Sequence, residues 1–317
     1  MLNAEKTNQT GITEFVLLGL GTPSELQPFP FLLFLIIYLV TISGNLLIIV
    51  LVVADQHLHT PMYFFLGTLS CLETCCSSTI LPKMLASLLT GDRSITVGGC
   101  LAQYYFFSSC AATELFLLAA MSYDRYLAIC RPLLYASIMS RKLCFQLITG
   151  SWINGLLTNG IMVFLISQLF FCGPNVIDHY FCDLNPLEKL SCSDTSQMDL
   201  GVFLLSFIDG LFPFILTLMS YFSIITAIIR IKSSTGRKKA FSNCSSHLMV
   251  VSLFYGTVII VYMSPDTLTL RHLNKFFSIF YTVFTPLANP IIYTLRNREV
   301  HKAFRRVYSK LTFFGKV

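Results

Sequence analysis

Long apolar runs alternate with short polar breaks along almost the whole chain. Seven runs stand out, near Phe29–Ala54, Pro61–Leu88, Gly98–Cys130, Leu143–Leu169, Met198–Ile231, Ala240–Pro265 and Lys275–Leu295. Each run is too long for a strand and lacks the alternation of a membrane β-barrel, so the pattern predicts α-helices. A helix of about 20 apolar residues crosses the hydrocarbon core of a bilayer. The pattern therefore predicts an all-α membrane protein, a seven-transmembrane helix bundle.

A different pattern follows the seventh run. Val300, Phe304, Val307, Tyr308 and Leu311 recur at helical spacing, and basic residues fill the positions between them. This predicts a short amphipathic eighth helix, near residues 297–310, that lies on the inner leaflet of the membrane. A basic helix can also bind a protein partner, but its position directly after a span favours the membrane surface.

The composition excludes a soluble protein. The 317 residues are 54% hydrophobic and 12% charged, with a mean hydropathy of +0.68. A soluble domain carries about 25% charged residues, and a disordered chain is poor in apolar ones. Seven spans leave room only for tails and loops, which predicts one domain over 1–317: a tail at 1–27, a bundle at 28–295, and a helix and tail at 296–317. The odd number of spans, without a repeat of half the chain, disfavours a transporter.

The basic residues predict the orientation of the bundle. Of the 22 lysines and arginines, 16 fall on the side reached after the odd-numbered spans. Cytoplasmic loops carry the excess of basic residues, so this side is predicted to be cytoplasmic and the N-terminus extracellular. The sequon Asn8-Gln9-Thr10 then lies where N-glycosylation occurs. The net charge of +6 faces anionic lipid and any cytoplasmic partner, and is not a sign of nucleic-acid binding.

Four of the 11 cysteines fall on the predicted outer side, namely Cys100, Cys172, Cys182 and Cys192. Four oxidised cysteines allow three pairings, and the residues alone leave all three open. The other seven are interpreted as small packing residues. This interpretation includes Cys71, Cys75 and Cys76, which have no histidine nearby.

Three acids lie inside predicted spans, at Glu73, Glu114 and Asp209, and no lysine or arginine lies at a comparable depth. Ionisable side chains inside a membrane are costly, so they indicate a functional site. Each acid is protonated, hydrated or ion-bound. Asn45 and Asn289 are mid-span polar groups that are candidates to join Glu73 and Glu114. Such a cluster is either a switch or a static network, and the sequence leaves both open.

Two further motifs lie towards the cytoplasmic side. Asp124-Arg125-Tyr126 closes the third span, where the residues by themselves favour a simple helix-end anchor. Pro286 and Pro290 remove two backbone donors from the seventh span, which predicts a hinge. His247 stands alone at a cytoplasmic helix end, and no nucleophile, base and acid fall at workable spacing, so the chain is predicted not to be an enzyme.

These motifs together resemble a class A, rhodopsin-like G-protein-coupled receptor. Five longer strings are similar to the signatures of odorant receptors, namely FVLLGL at 15–20, PMYFFL at 61–66, MSYDRYLAIC at 121–130, KAFSNCSSHL at 239–248 and PIIYTLRN at 290–297. The tripeptide Phe254-Tyr255-Gly256 resembles the tetrapod-type, class II subgroup. The chain departs from the family pattern at Ser122, Asn243 and Glu73, where the family more often has Ala, Thr and Asp.

The resemblance implies roles for the motif residues. It implies the disulfides Cys100–Cys182 and Cys172–Cys192, and the first removes the thiolate that a metal site at 179–183 would need, so no metal is predicted. It assigns G-protein coupling and switching to Asp124, Arg125, Tyr126, Tyr221, Asn289, Pro290 and Tyr293. It assigns a central, sodium-like polar site to Asn45, Glu73, Glu114 and Asn289.

The resemblance also implies a ligand pocket among the third, fifth, sixth and seventh helices. The matching positions are Phe107, Ser108, Ala111, Ala112, Val202, Ser206, Asp209, Tyr255, Val258, Ile259, Tyr262, Ile279 and Thr282. The implied function is an odorant receptor in the plasma membrane that binds small volatile molecules and activates a stimulatory, olfactory-type G protein, without a cofactor. A non-olfactory class A receptor is the alternative, and a transporter is the alternative from another class.

Overall fold

The computed structural model describes residues 12–21, 23, 26–172, 174–263, 275–296 and 298–314. The predicted glycosylation site Asn8 lies outside these residues and stays a prediction. Eight long helices follow one another: α1 Pro28–Ala54, α2 Pro61–Thr90, α3 Val97–Cys130, α4 Arg141–Ser167, α5 Ser196–Arg230, α6 Ser234–Met263, α7 at 275–296 and α8 Arg298–Phe314. Within the described residues, six helices, α1 to α6, contain segments long and apolar enough to cross a membrane. With α7, the seven-helix bundle predicted from hydropathy is confirmed.

Local chemistry sets several helix ends. Pro28 and Pro61 open α1 and α2 at positions where a missing N–H costs nothing. Gly91 ends α2 with a φ of 76°, which only glycine adopts without strain. α6 begins at Ser234, six residues before the predicted start at Ala240. The first turns of α6 are basic. Because hydropathy detects only the apolar part of a helix, it does not detect these turns, which continue beyond the membrane.

A small sheet, which hydropathy did not predict, covers one end of the bundle. Strand β1 Glu14–Leu17 lies between β2 Ser94–Thr96, antiparallel, and β3 Val176–Ile177, parallel. Phe15 and Leu17 are buried beneath it, and Glu14 is exposed. We call this end of the bundle the sheet end, and the opposite end the α8 end.

Helix α3 is the centre of the bundle and α5 is its most peripheral span. In the most apolar stretch of each helix, 72% of the residues of α3 are buried, against 11% in α5. Gly155 allows α4 to approach α3 closely, because a β-carbon there would lie 2.5 Å from the carbonyl oxygen of Ser109. Helices α4 and α5 both contact α3 but differ in burial: α4 packs closely against it at Gly155, and α5 remains largely exposed.

Helix α8 is anchored to the loop that follows α1. Arg306 Nε of α8 donates to Oδ2 of the buried Asp55 carboxylate at 2.8 Å, and Nη2 forms an ion pair with the same oxygen at 2.6 Å. The His57 ring contacts Oδ1 at 2.9 Å. Burial opposes ionisation of Asp55, but the hydrogen bonds from His57 and Arg306 outweigh it and lower its pKa to about 2. Phe304 and Tyr308 on the same helix remain exposed, in agreement with the predicted membrane-surface face.

We expect Asp55→Asn to destabilise the protein by about 1–3 kcal/mol, because a hydrogen bond to a charged group is replaced by a neutral one. The stabilisation from a depressed carboxyl pKa is fully present above the ordinary value of 3.8 and is lost as the pH falls through about 2. Thermal unfolding of the purified protein measures the effect. Glu299→Gln, which removes an exposed acid of α8 paired with Lys302, is the control. An Asp55→Asn melting curve identical to that of the parent would contradict the prediction.

Candidate functional site

A cavity of about 540 Å³ lies in the sheet-end half of the bundle, among α3, α4, α5, α6 and α7. Ten of the thirteen predicted pocket residues line it, namely Phe107, Ser108, Ala111, Ala112, Val202, Ser206, Asp209, Tyr255, Val258 and Ile259. The family resemblance thus selected residues that the fold brings together. Their role as ligand contacts stays a prediction.

Two of the other three predicted residues, Thr282 and Ile279, lie outside the cavity wall. Thr282 is turned towards the loop above the cavity, where its hydroxyl bonds Tyr180 Oη at 2.8 Å and donates to the carbonyl of Ser278. Ile279 packs in the apolar cluster beside it and is not part of the cavity wall. The side chain of Tyr262 lies outside the described residues.

Sequence reasoning missed several wall residues. Tyr104, Asn159, Met162 and Tyr281 complete the wall from α3, α4 and α7, and Asp183 and Leu184 reach it from the loop before α5. The aromatic rings of Phe107 and Tyr281 approach to 6.0 Å. The helical face of Phe107 and Ala111 already included Tyr104, so helical spacing was the signal that identifies this residue.

The loop before α5 forms a roof over the cavity, and we call residues 178–184 the roof loop. Tyr180 and Phe181 are buried, and the Phe181 ring lies 5.2 Å from Phe107 in an edge-to-face contact. The disulfide Cys100–Cys182 attaches the loop to the first turn of α3, and the Cys182 N–H donates to Gln103 Oε1 at 3.0 Å. Cys172 pairs with Cys192 in the same connection. The cavity is therefore covered on its sheet-end side by packed, cross-linked chain.

A buried histidine belongs to the same roof. Burial, together with the nearby positive charge of Lys275, lowers the pKa of His179 to about 3, so the imidazole is neutral at physiological pH. Lys275 itself pairs with Asp178 at 2.6 Å. Because Cys182 is in a disulfide, the loop offers no thiolate beside this histidine. Among the described residues, no group of three or more His, Cys, Asp or Glu side chains has the geometry to hold a metal ion.

Asp209 contacts both the cavity and a neighbouring helix. It lies in a single π-helical turn, Phe207–Leu211, just before Pro213, where the regular helical bonding of α5 is interrupted. Asn154 of α4 donates to Asp209 Oδ1 at 2.7 Å. The carboxyl group thus lines the cavity while it also joins α5 to α4. The sequence identified the buried acid but not Asn154, its partner 55 residues away.

We expect Asp209→Asn to preserve the response to a neutral agonist, because the amide oxygen still accepts from Asn154. Asp209→Leu removes that acceptor and is expected to weaken the response by about tenfold at unchanged surface level, since one lost hydrogen bond in the cavity wall costs about 1 kcal/mol or more. Asn154→Leu is the matched control, because it breaks the same contact outside the cavity. Equal losses in Asp209→Leu and Asn154→Leu, or no loss in either, would show that Asp209 does not act in the cavity.

A polar core lies below the cavity and joins four helices. Asn289 of α7 donates to Glu73 of α2, and the Glu114 carboxyl group of α3 lies within hydrogen-bonding range of Glu73. Asn45 of α1 donates to the carbonyl of Pro286 at 3.2 Å. All four predicted members of the sodium-like site, Asn45, Glu73, Glu114 and Asn289, are buried.

Each member of this core also has one buried oxygen without a hydrogen-bond donor among the described residues, namely Asn45 Oδ1, Glu73 Oε2, Glu114 Oε1 and Asn289 Oδ1. Buried oxygens without donors are costly, and carboxylate and amide oxygens are the ligands of hard cations. The chemistry of the core therefore fits a bound sodium ion or ordered water.

Two pairs at the α8 end include residues that the resemblance assigns to G-protein coupling, and that role stays a prediction. Arg125 is held by the adjacent Asp124 at 2.9 Å, and Tyr135 donates to the second Asp124 oxygen at 2.8 Å. Tyr221 bonds His247 Nδ1 at 2.5 Å instead of Arg125. His247 is buried in α6, so the prediction that it stands alone at a helix end is wrong. Hydropathy placed it at a boundary because the polar first turns of α6 precede it.

The remaining switch residues lie nearby on α3 and α7. Tyr126 is half-buried, and its ring stacks against Tyr123 at 6.1 Å. Pro290 packs against Gly44 of α1, where a β-carbon would lie 3.2 Å from the proline ring. The side chain of Tyr293 lies outside the described residues.

Comparisons with known proteins agree with this geometry. The family model described as olfactory receptor matches residues 34–311. Mouse olfactory receptor 5M5 is 46% identical over 308 residues, covering 96% of this chain and 97% of the relative. Human olfactory receptor 11L1 is 48% identical over 303 residues, covering 96% and 94%. Squid rhodopsin has the same fold, with a TM-score of 0.70 and 15% identity over 92% of this chain and 87% of that one.

These relationships confirm the prediction that the chain is a receptor and not an enzyme, and they disfavour the transporter and the non-olfactory receptor. The matched region covers the cavity, the polar core and the coupling residues together. The chain belongs to the olfactory receptor family and is a multi-pass plasma-membrane protein with the rhodopsin-like seven-helix fold.

Proposed function

We propose that the protein binds small volatile odorants in the roofed cavity and then activates a stimulatory, olfactory-type heterotrimeric G protein, which raises cyclic AMP. The observation that carries this proposal is the cavity itself. Its volume of about 540 Å³ falls within the range of small-molecule sites, which is roughly 300–1,000 Å³. The roof loop covers it on the sheet-end side.

The wall chemistry favours neutral, largely apolar ligands. Phenylalanine, leucine, valine and alanine side chains make up most of the wall. Ser108, Ser206, Asp209 and Tyr255 supply a few hydrogen-bonding groups. An ionised carboxylate in such surroundings costs several kcal/mol without a cationic partner, so Asp209 suits a hydrogen bond to an alcohol, ketone or ester.

The coupling mechanism is a shift between two arrangements of the α8 end. In the structure Asp124 holds Arg125, and Tyr221 is engaged with His247 of α6. An odorant that contacts α3, α5 and α6 more favourably in a second arrangement shifts the population towards it. Release of Arg125 then presents its guanidinium group to the C-terminus of the G-protein α-subunit. In the polar core, Asn45, Glu73, Glu114 and Asn289 would hold a sodium ion through oxygens that lack donors among the described residues, and the ion would supply positive charge beside the two carboxyl groups.

We also propose that the sheet end is extracellular, with residues 1–27 outside, 28–295 in the bundle and 296–317 inside. The basic residues support this orientation, because they concentrate at the α8 end. The disulfides support it independently, since both lie at the sheet end and disulfides persist in oxidising compartments. An N-terminal epitope tag is expected to be accessible on intact cells, and a tag found only after permeabilisation would refute the orientation.

The function is tested by expressing the chain with an olfactory-type G protein and recording cyclic AMP against a panel of volatile alcohols, ketones, esters and amines. At least one compound is expected to raise cyclic AMP. Ala111→Phe fills the cavity and is expected to abolish that response, whereas Ala102→Phe, on an exposed position of α3, is expected to retain it. The proposal would be contradicted if receptor present at the cell surface responded to no compound, or if the Ala111→Phe receptor gave the same cyclic AMP response as the parent.

A further inference from the structure

The wall of the cavity is closed on one side and open on the other. None of its residues on α3 and α4 is exposed and most are buried, as in Phe107 at 4% and Met162 at 4% exposure. Three wall residues of α5 are instead exposed, with Phe203 at 71%, Phe207 at 54% and Leu211 at 44%. A side chain that lines a cavity and is also exposed marks the place where the cavity opens to the surroundings.

The opening lies between α5 and α6. Phe203, Phe207 and Phe214 follow helical spacing on one stripe of α5, and the Phe214 ring meets Tyr255 of α6 at 4.9 Å. The opposite side of α5 carries Asp209, which is bonded to α4. The two helices therefore close at Phe214 and Tyr255, and the stripe above this contact is exposed beside Ile259 of α6, which is 38% exposed.

The opening faces hydrocarbon. Phe207 lies eight residues after Asp199 in α5. Because an α-helix rises about 1.5 Å per residue, Phe207 lies about 12 Å deeper in the membrane than Asp199. Asp209 is the only charged residue between Leu200 and Ile229 in the sequence. The side chains at the mouth are apolar, so lipid rather than water borders it.

The route from the sheet end is covered. Phe181 and Tyr180 of the roof loop are 0% and 2% exposed, and the disulfide and the Tyr180–Thr282 hydrogen bond hold the loop in place. Each methylene group of an apolar molecule favours the bilayer over water by roughly fourfold in concentration. An apolar ligand is therefore concentrated at the open side of the cavity and excluded at the roofed side.

We propose that the gap between α5 and α6, bordered by Phe203, Phe207, Leu211 and Ile259, is a lateral portal through which apolar ligands dissolved in the bilayer enter the cavity. This inference rests on the proposed ligand function of the cavity and adds the ligand's path and source. Gly210 lies in the mouth and lines the cavity, and a β-carbon added there meets no atom within 4 Å. A large side chain at position 210 therefore obstructs the portal, and its β-carbon does not clash with neighbouring atoms.

The test uses Ser108→Cys, a near-isosteric thiol in the cavity wall, in receptor reconstituted into phosphatidylcholine vesicles. The probes are neutral hexyl methanethiosulfonate, which dissolves in the bilayer, and its cationic trimethylammonioethyl analogue, which stays in water. Each forms a mixed disulfide with the thiol and releases methanesulfinate. Mass spectrometry of the labelled peptide gives the rate at this position, separately from the native thiols.

Gly210→Trp in this background is expected to slow labelling by the hexyl reagent by at least about fivefold, because the indole occupies the apolar mouth. The cationic reagent is expected to react slowly and at the same rate in both proteins. Leu204→Trp, exposed on α5 outside the cavity wall, is the control and is expected to leave both rates unchanged. Ile259→Trp obstructs the mouth from α6 and replaces Gly210→Trp if that variant does not fold.

An unchanged hexyl rate in Gly210→Trp and Ile259→Trp, or an equal slowing in Leu204→Trp, would overturn the portal. A fast reaction with the cationic reagent would place the entrance at the roof instead. The assay contains neither odorant nor G protein. A negative cyclic AMP screen therefore does not affect the labelling result for the portal. A negative labelling result likewise does not affect the proposed receptor function.

Discussion

Arg125→Ala is expected to abolish odorant-driven cyclic AMP while surface receptor stays close to the parent level. The Arg125 side chain is 15% exposed, and Asp124 binds it through Nη2 at 2.9 Å and Nε at 3.2 Å. Alanine removes the whole planar donor group that coupling requires. The response is expected to fall by at least about tenfold, since a charge-assisted contact of this type contributes about 1.5–3 kcal/mol.

The fold is expected to survive this substitution, because Asp124 keeps the Tyr135 hydroxyl as a donor at 2.8 Å. Arg141→Ala is the matched control: it removes an exposed base from the same end of the bundle, at the start of α4. Cyclic AMP and surface labelling are measured in the same cells. An Arg125→Ala receptor that signals normally at equal surface level would remove Arg125 from the coupling mechanism.

Cys100→Ser and Cys182→Ser are each expected to eliminate surface expression. The Cys100–Cys182 disulfide joins residues that are 82 positions apart in the sequence, whereas Cys172 and Cys192 are 20 positions apart. In the chain-entropy account a longer closed loop gives more stabilisation, about 4–5 kcal/mol for the first and about 3 for the second. Both sulfur atoms of the first bridge are also buried beneath the sheet end, so its loss exposes the roof loop as well.

The same measurement on Cys172→Ser is expected to give a smaller loss, and on Cys71→Ser none, because Cys71 is a free, exposed thiol. Flow cytometry of an N-terminally tagged receptor measures all four variants. Parent-level surface expression of Cys182→Ser would show that the bridge is dispensable, and a Cys71→Ser loss as large would show a general sensitivity to cysteine replacement.

Regular structure was predictable because its signals are local. A run such as Phe29–Ala54 predicts a spanning helix without reference to the rest of the chain, and α1 Pro28–Ala54 agrees with it within one residue. The amphipathic spacing from Val300 likewise predicted α8. Local signals weaken where a helix leaves the membrane, which is why the start of α6 was placed six residues late.

The candidate site was predictable only as far as the family resemblance supplied positions. Ten of its thirteen residues line the cavity, and the positions of two others, Thr282 and Ile279, depend on contacts that no local pattern encodes. Thr282 is turned away by Tyr180, which is 102 residues distant in the chain. The partner of Asp209 on α4 and the partner of His247 on α5 are hidden from sequence reasoning in the same way.

The sequence by itself determined the seven spans, the eighth helix and the distribution of charge, since hydropathy and helical periodicity act within one segment. Tertiary structure alone decided the sheet over the bundle, the roof loop and the open side between α5 and α6. These features depend on how each helix is rotated and tilted against its neighbours. That choice is made by close packing, as at Gly155 and Gly44, and by buried hydrogen bonds between distant residues.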